Sequence, residues 1–195
     1  MRSFGARLWD SLGRFGPLCV GIDPHASLLE SWGLDATADG ARRFGLRVVE
    51  ACAGRVGVVK PQVAFFERYG SAGFAALEDI LAAARSAGLI VIADAKRGDI
   101  GTTMDGYAAA WLEPGSPLEA DAVTLSPYLG PDSLYATITT AIRREKGVFV
   151  LAATSNPEGL PVQTALTRDD SAPGDESVAA RVARVVASFD DNDAR

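Results

Sequence analysis

The sequence predicts a parallel α/β fold, and three observations carry that reading. Short apolar runs recur along the chain, of strand length and bounded by turn residues. Segments with apolar residues at helical spacing separate them, the alternation expected of a parallel sheet covered by helices. Polar residues close successive strands: Asp23, Lys60, Asp94 with Lys96, Ser126 and Ser155. Parallel strands aim all such ends at one face, so residues distant in sequence meet there.

In chain order, strands are predicted near 18–23, 56–60, 89–96, 120–126 and 147–154. After the first, Ala41, Phe44, Val48 and Cys52 recur at helical spacing, and after the second Phe74, Leu77, Leu81 and Ala84 do so. Met104, Tyr107, Ala108 and Trp111 form the next stripe, followed by Leu134, Ile138 and Ile142, then Val178, Val182, Val185 and Phe189. Each stripe reads as core-facing and carries no chemistry. From Asn156 to about Gly174 the chain is rich in Pro, Gly, Asp and Thr and reads as a long loop beside the site. From Asp190 onward the apolar period is lost. All 195 residues read as a single domain, enough for a substantial core.

Composition excludes several function classes. A formal net charge of -6 disfavours nucleic acid or an acidic membrane surface as the main partner, since both demand a basic face. No apolar run approaches the roughly 18 residues of a membrane span, and the first ten residues lack the apolar core of a signal peptide, so the cytoplasm is the expected compartment. Cys19 and Cys52 lack metal-type spacing and read as buried reduced thiols. His25 is the single histidine, which argues for a solvated loop residue over a metal ligand. No Gly-rich phosphate loop of the dinucleotide or P-loop type occurs.

The densest chemistry lies in Leu89-Ile90-Val91-Ile92-Ala93-Asp94-Ala95-Lys96-Arg97-Gly98-Asp99. Side chains alternate along a strand, so Asp94 and Lys96 project with Ile90 and Ile92, and Gly98 lets the chain turn to bring Asp99 back. The expectation is a cation, Lys96, between two anions at the end of a buried strand. Charges held against an apolar interior cost desolvation energy and are retained when paired, functional, or both.

Asp94-Ala95-Lys96-Arg97-Gly98-Asp99-Ile100-Gly101 resembles the Asp-x-Lys-x-x-Asp signature of the orotidine 5'-phosphate decarboxylase family. Four further segments match in order: Leu18 to Pro24, Val58 to Glu67, Thr124 to Gly130 and Ala152 to Gly159. They resemble the bacterial branch typified by mycobacterial enzymes. The resemblance implies an eightfold (β/α) barrel, which typically needs about 250 residues, so this chain is expected to carry only about the first five β/α units. An open barrel of that kind exposes the edges of its first and fifth strands.

The resemblance also implies an activity: conversion of orotidine 5'-phosphate to UMP and carbon dioxide in pyrimidine biosynthesis, with no cofactor or metal. Lys96 would protonate C6, Asp94 would lie against the departing carboxylate, and Lys60 would contact the ribose and link the charged array. Asp23 would bind the ribose and Ser155 the pyrimidine. Asp99, Ile100 and Thr103 would reach across a twofold interface into a partner's site, which implies a homodimer. The family's phosphate contacts come from later strands without a counterpart in these residues, so impaired turnover, or ligand binding without turnover, is the non-enzymatic alternative. A magnesium-dependent sugar-phosphate decarboxylase or aldolase of the same superfamily is the rival enzyme; it needs a metal-binding Glu where this chain has Lys60. Tyr128, in Ser126-Pro127-Tyr128-Leu129-Gly130, reads as a packing residue.

Overall fold

Five parallel strands in the order β1-β2-β3-β4-β5 form the main sheet of the computed structural model, which describes residues 2–168 and 175–193. They are β1 (Cys19–Ile22), β2 (Val58–Pro61), β3 (Ile90–Arg97), β4 (Ala122–Leu125) and β5 (Gly147–Val150). Among the described residues β1 and β5 are the edges of an open, partial barrel. Every predicted strand is present. The fifth is shorter than expected because β4 gives it nothing to pair with: Leu151 N–H still reaches the Leu125 carbonyl, but Ser126 turns its N–H to Arg97, and Pro127 has none to offer.

Helices cover the outer face. They are α2 (Ala26–Ser31), α3 (Ala38–Cys52), α4 (Ala64–Glu67), α5 (Gly70–Ser86), α6 (Gly101–Leu112) and α7 (Tyr135–Arg143). Thr37 caps α3 by accepting the Gly40 N–H at 3.1 Å, and Asp39 in its first turn suits the positive helix end. The predicted stripes pack as read: Phe44, Leu77, Leu81, Met104, Trp111 and Ile138 join Val59, Val91, Ala93 and Val123 in one core. Gly45 allows α3 and α5 to approach closely, since a Cβ there would collide with Ile80.

The inner face is filled differently, by a helix that sequence patterning had not marked, α1 (Phe4–Phe15). Phe4, Leu8 and Leu12 recur every four residues and pack on Val58, Ile90, Ile92 and Ala122 near the starts of the strands. Ser3 caps this helix, accepting the Ala6 N–H at 3.3 Å. Arg7 fastens it to the sheet through Asp121 at 2.6 Å and the Glu145 carbonyl at 2.9 Å.

The region expected to be one long loop contains α8 (Leu160–Gln163) and β6 (Leu166–Thr167), which pairs antiparallel with β7 (Glu176–Ser177) just beyond it. Residues 169–174 of that loop lie outside the described residues. The last helix, α9 (Val178–Asp193), begins where its apolar period begins and buries Val182. Its backbone stays helical past Asp190, beyond the point where the apolar pattern stops.

Two packing expectations fail. Cys19 is exposed while Cys52 is buried. Alternation along β1 sends Val20 and Ile22 to the helix-covered face, leaving Cys19 on the inner face of an edge strand that α1 does not reach. Tyr128 is 87% exposed, because the chain after β4 runs out over the strand ends instead of folding back on the core.

Candidate active site

The inner face of β3 changes character halfway along. Ile90 and Ile92 pack beneath α1, and the next two residues of that face, Asp94 and Lys96, stand at the strand's C-terminal end. The ladder to β4 is regular at Ile92 and Ala93 and resumes at Arg97, with a bulge between. Lys96 sits in that bulge with φ 49°, a left-handed backbone that costs a non-glycine residue on the order of 1–2 kcal/mol. Such conformations persist where the surroundings over-determine them, and active sites are where they cluster. Gly98 is required next, because a Cβ there would collide with the Ser126 carbonyl.

The bulge frees the Lys96 N–H from the ladder, and it donates to Thr124 Oγ1 at 2.8 Å. The Lys96 ammonium turns back to Asp94 Oδ1 at 2.5 Å, and Lys60 donates to the other oxygen, Oδ2. Parallel pairing of β2 and β3 brings Lys60 to this carboxylate across 34 residues of sequence. Gln62 braces the pair, its amide nitrogen 3.4 Å from the Asp94 carbonyl and its amide oxygen 3.4 Å from Lys96 Nζ. Behind the strand, Arg97 pairs with Glu67 and lies over the Tyr107 ring, tying the end of β3 to α4 and α6.

The electrostatics follow from this crowding. Burial alone would raise the pKa of Asp94, but hydrogen bonds from Lys60 and Lys96, together with their charges, hold it below the ordinary aspartate value. Asp94 is therefore a fixed carboxylate, its side chain only 7% exposed, while both ammoniums open toward solvent. Two ammoniums on one carboxylate leave this triad with one positive charge in excess, in a chain whose own charge is -6. Such a site suits a small anion.

The expected sign pattern is therefore inverted. Lys96 does not lie between two anions within this chain; Asp94 lies between two cations. The Asp99 carboxylate instead accepts its neighbour's N–H, that of Ile100, at 2.8 Å, as the chain turns into α6. The reason is the bulge, which spends the turn on aiming Lys96 inward and carries Asp99 outward past Ser126. Ile100 and Thr103 are exposed beside it at the start of α6. Asp23 follows β1 at the same face; one of its oxygens folds over Gly21, and the other, Oδ1, is buried without a hydrogen-bond partner among the described residues. A buried unpaired carboxylate oxygen marks a place where a donor is missing.

Ser155 is exposed in the loop after β5. Its neighbours are braced: Gln163 accepts the Thr154 N–H at 3.0 Å and donates to the Thr154 hydroxyl at 2.7 Å. His25 is exposed, as expected, with its ring 4.2 Å from that of Phe65. Gln62 and Thr124 had escaped notice, although the period of two that singled out Lys60 and Ser126 puts both on the inner face.

Comparison with known proteins bears on this arrangement. The family model described as "Orotidine 5'-phosphate decarboxylase / HUMPS family" matches residues 16–187. The chain belongs to that family. Among its relatives, an orotidine 5'-phosphate decarboxylase of Salinispora tropica is 58% identical over 169 residues, 87% of this chain and 61% of the relative. One from Corynebacterium glutamicum is 57% identical over 161 residues, 83% of this chain and 58% of the relative. The chain thus spans about three fifths of the curated relatives it matches. A crystal structure of a putative orotidine 5'-phosphate decarboxylase from Streptomyces avermitilis superposes with a TM-score of 0.92 at 52% identity, covering 97% of this chain and 65% of the other. A Leishmania donovani OMP decarboxylase superposes with a TM-score of 0.71 at 34% identity, covering 91% of this chain and 62% of the other. The five-stranded parallel sheet with its alternating helices is accordingly the first part of this family's barrel.

Proposed function

We propose that this chain supplies the decarboxylating machinery of an orotidine 5'-phosphate decarboxylase, converting the substrate to UMP and carbon dioxide without a cofactor. The observation that carries the reading is the Lys60–Asp94–Lys96 array, with Lys96 aimed by a left-handed bulge. Breaking the bond from C6 to the carboxylate leaves an electron pair in the plane of the pyrimidine ring, which the ring cannot delocalise. An ammonium fixed at C6 stabilises that charge as it develops and then gives up its proton to form the product C–H bond. Lys96 fills this role, and the Asp94 carboxylate holds its ammonium in place.

Asp94 would also face the departing carboxylate. Two like charges about 4 Å apart repel by about 4 kcal/mol at an effective dielectric of 20. Enzymes lower barriers by roughly 8–23 kcal/mol, so repulsion is the lesser contribution, and with two ammoniums already on Asp94 it is smaller still. Lys60 would hold the array together and reach the ribose, Asp23 would give its unpaired Oδ1 to a ribose hydroxyl, and Ser155 would meet the pyrimidine.

Asp99, Ile100 and Thr103 have no role toward Lys96 within one chain, and their outward position supports a homodimer in which they complete the partner's site. Exposed Ile100, Tyr128 and Leu129 give that face an apolar surface to cover. Among the described residues no helix is long and apolar enough to cross a membrane, in keeping with a cytoplasmic enzyme acting on a small molecule. The Lys60 ammonium seated on Asp94 occupies the place a magnesium-dependent relative needs for a carboxylate, which favours the decarboxylase reading.

The test is a spectrophotometric assay of this chain with orotidine 5'-phosphate. UMP formation that is unaffected by EDTA supports the reading, and absence of turnover at high protein concentration refutes it for these residues. Mixing Asp99→Ala and Lys96→Ala variants tests the shared site: partial recovery of activity in verified heterodimers is expected, and no recovery excludes it.

A further inference from the structure

We infer that Thr124 is a positioning residue, its hydroxyl joining the Asp94 carboxylate to the backbone of Lys96 and so holding the ammonium at the angle the reaction uses. The inference rests on the decarboxylase reading but adds a residue that neither the signature nor the charged array contains. Thr124 is buried on β4, directly across from the bulge. Its Oγ1 lies 2.8 Å from the Lys96 backbone nitrogen and 3.1 Å from Asp94 Oδ1.

The direction of both bonds is forced. The Lys96 nitrogen carries a proton and donates, so the hydroxyl accepts there; the carboxylate has no proton and accepts, so the single hydroxyl proton points to Asp94. One side chain thereby fixes both ends of the Lys96–Asp94 pair. It takes the place of the ladder acceptor that the bulge removes, and it sets the rotation of the carboxylate onto which the ammonium folds. A buried threonine serving only the sheet would be satisfied by any nearby carbonyl and would leave both groups unconstrained.

Three variants of the full chain decide the matter. Thr124→Val keeps the shape and removes the hydroxyl, Thr124→Ala removes it with less bulk should valine hinder folding, and Thr124→Ser restores it. The first readout needs no turnover: amide hydrogen exchange at Lys96 and carbon-13 titration of the Asp94 carboxyl. Valine and alanine are expected to speed exchange at Lys96 by about tenfold or more and to move the Asp94 midpoint upward, while serine stays near the parent.

The second readout is kinetics with orotidine 5'-phosphate. The expectation is a kcat about 10- to 100-fold lower for valine and alanine, with KM within about threefold, and recovery to within about threefold of the parent for serine. Parental exchange and titration in both the valine and alanine variants overturn the inference, and so does a kcat loss that serine shares. A parent chain without turnover refutes the decarboxylase reading alone, and the first readout then decides whether Thr124 holds the pair.

Discussion

Asp94 and Asp121 are the two buried carboxylates among the described residues, and they stand at opposite ends of the same strands. Asp121, just before β4, accepts Arg7 on one oxygen at 2.6 Å and the Val91 N–H on the other at 2.9 Å. Nearby, Glu119 takes Lys146 on one oxygen at 2.6 Å and the Gly115 N–H on the other at 2.9 Å, so both of its oxygens are likewise satisfied. At the other end, Asp94 accepts two ammoniums and a hydroxyl, with an orphaned Asp23 oxygen on the same face. Burial is common to both ends, so burial does not mark the functional one. Imbalance does: charge in excess of its partner and a polar atom left without one are what a ligand would correct.

The sharpest way to break this comparison is to remove one cation from each end. Lys96→Ala is expected to lower decarboxylation by at least about 1000-fold while UMP binding changes less than about tenfold, since the ammonium acts mainly on the transition state. Its urea midpoint should stay near that of the parent, because Lys60 and Thr124 still hold Asp94. Equal losses of turnover and product binding would remove Lys96 from its role. Arg7→Ala should do the reverse: it strands Asp121 and unfastens α1, costing about 2–3 kcal/mol in urea unfolding and leaving kcat of the folded fraction near the parent.

Acid separates the ends less sharply. The folded pKa of Asp94 is lowered, so its stabilising share is intact above the ordinary aspartate value of about 3.9 and is lost as pH falls from there through the folded value. Glu119 behaves alike: burial opposes its charge, and the Lys146 hydrogen bond prevails and lowers its pKa. Unfolding measured between about pH 5 and 3 should therefore flatten in both Asp94→Asn and Glu119→Gln. A slope unchanged in Asp94→Asn would contradict the lysine pairing at the site. The smallest effect belongs to the exposed Arg42–Asp79 pair at 2.5 Å, where Asp79→Asn should leave the unfolding midpoint within error.

Strand alternation made much of this legible. Ile90, Ile92, Asp94 and Lys96 share a face, and the polar strand ends Asp23 and Lys60 mark the side on which a site assembles. Pairing across strands was not legible, because Lys60 meets Asp94 only through the register of the β2–β3 ladder, and a local reading therefore set Lys96 between the wrong partners. The bulge was hidden for a similar reason: nothing in Ala95-Lys96-Arg97 favours a left-handed lysine, and the conformation is imposed by Thr124, Ser126 and Glu67 from elsewhere. Phe4, Leu8 and Leu12 do spell a helix, but which face of a sheet a helix covers is a property of topology. Cys19 went astray on that point too, apolar enough for a core yet on the side α1 leaves open.

The clasp between Arg7 and Glu145 joins residues 138 positions apart. Chains emerge from the ribosome at roughly 5–20 residues per second, so α1 precedes Glu145 by on the order of ten seconds and the clasp stays open for that interval. Until β2, β3 and β4 follow, Phe4, Leu8 and Leu12 have no sheet to cover, and the amphipathic helix presents its apolar side to any chaperone or hydrophobic surface at the tunnel exit. The anchor of α1 to the Glu145 carbonyl is thus completed only once the chain has reached the start of β5, later than the seat its apolar side finds on β2, β3 and β4.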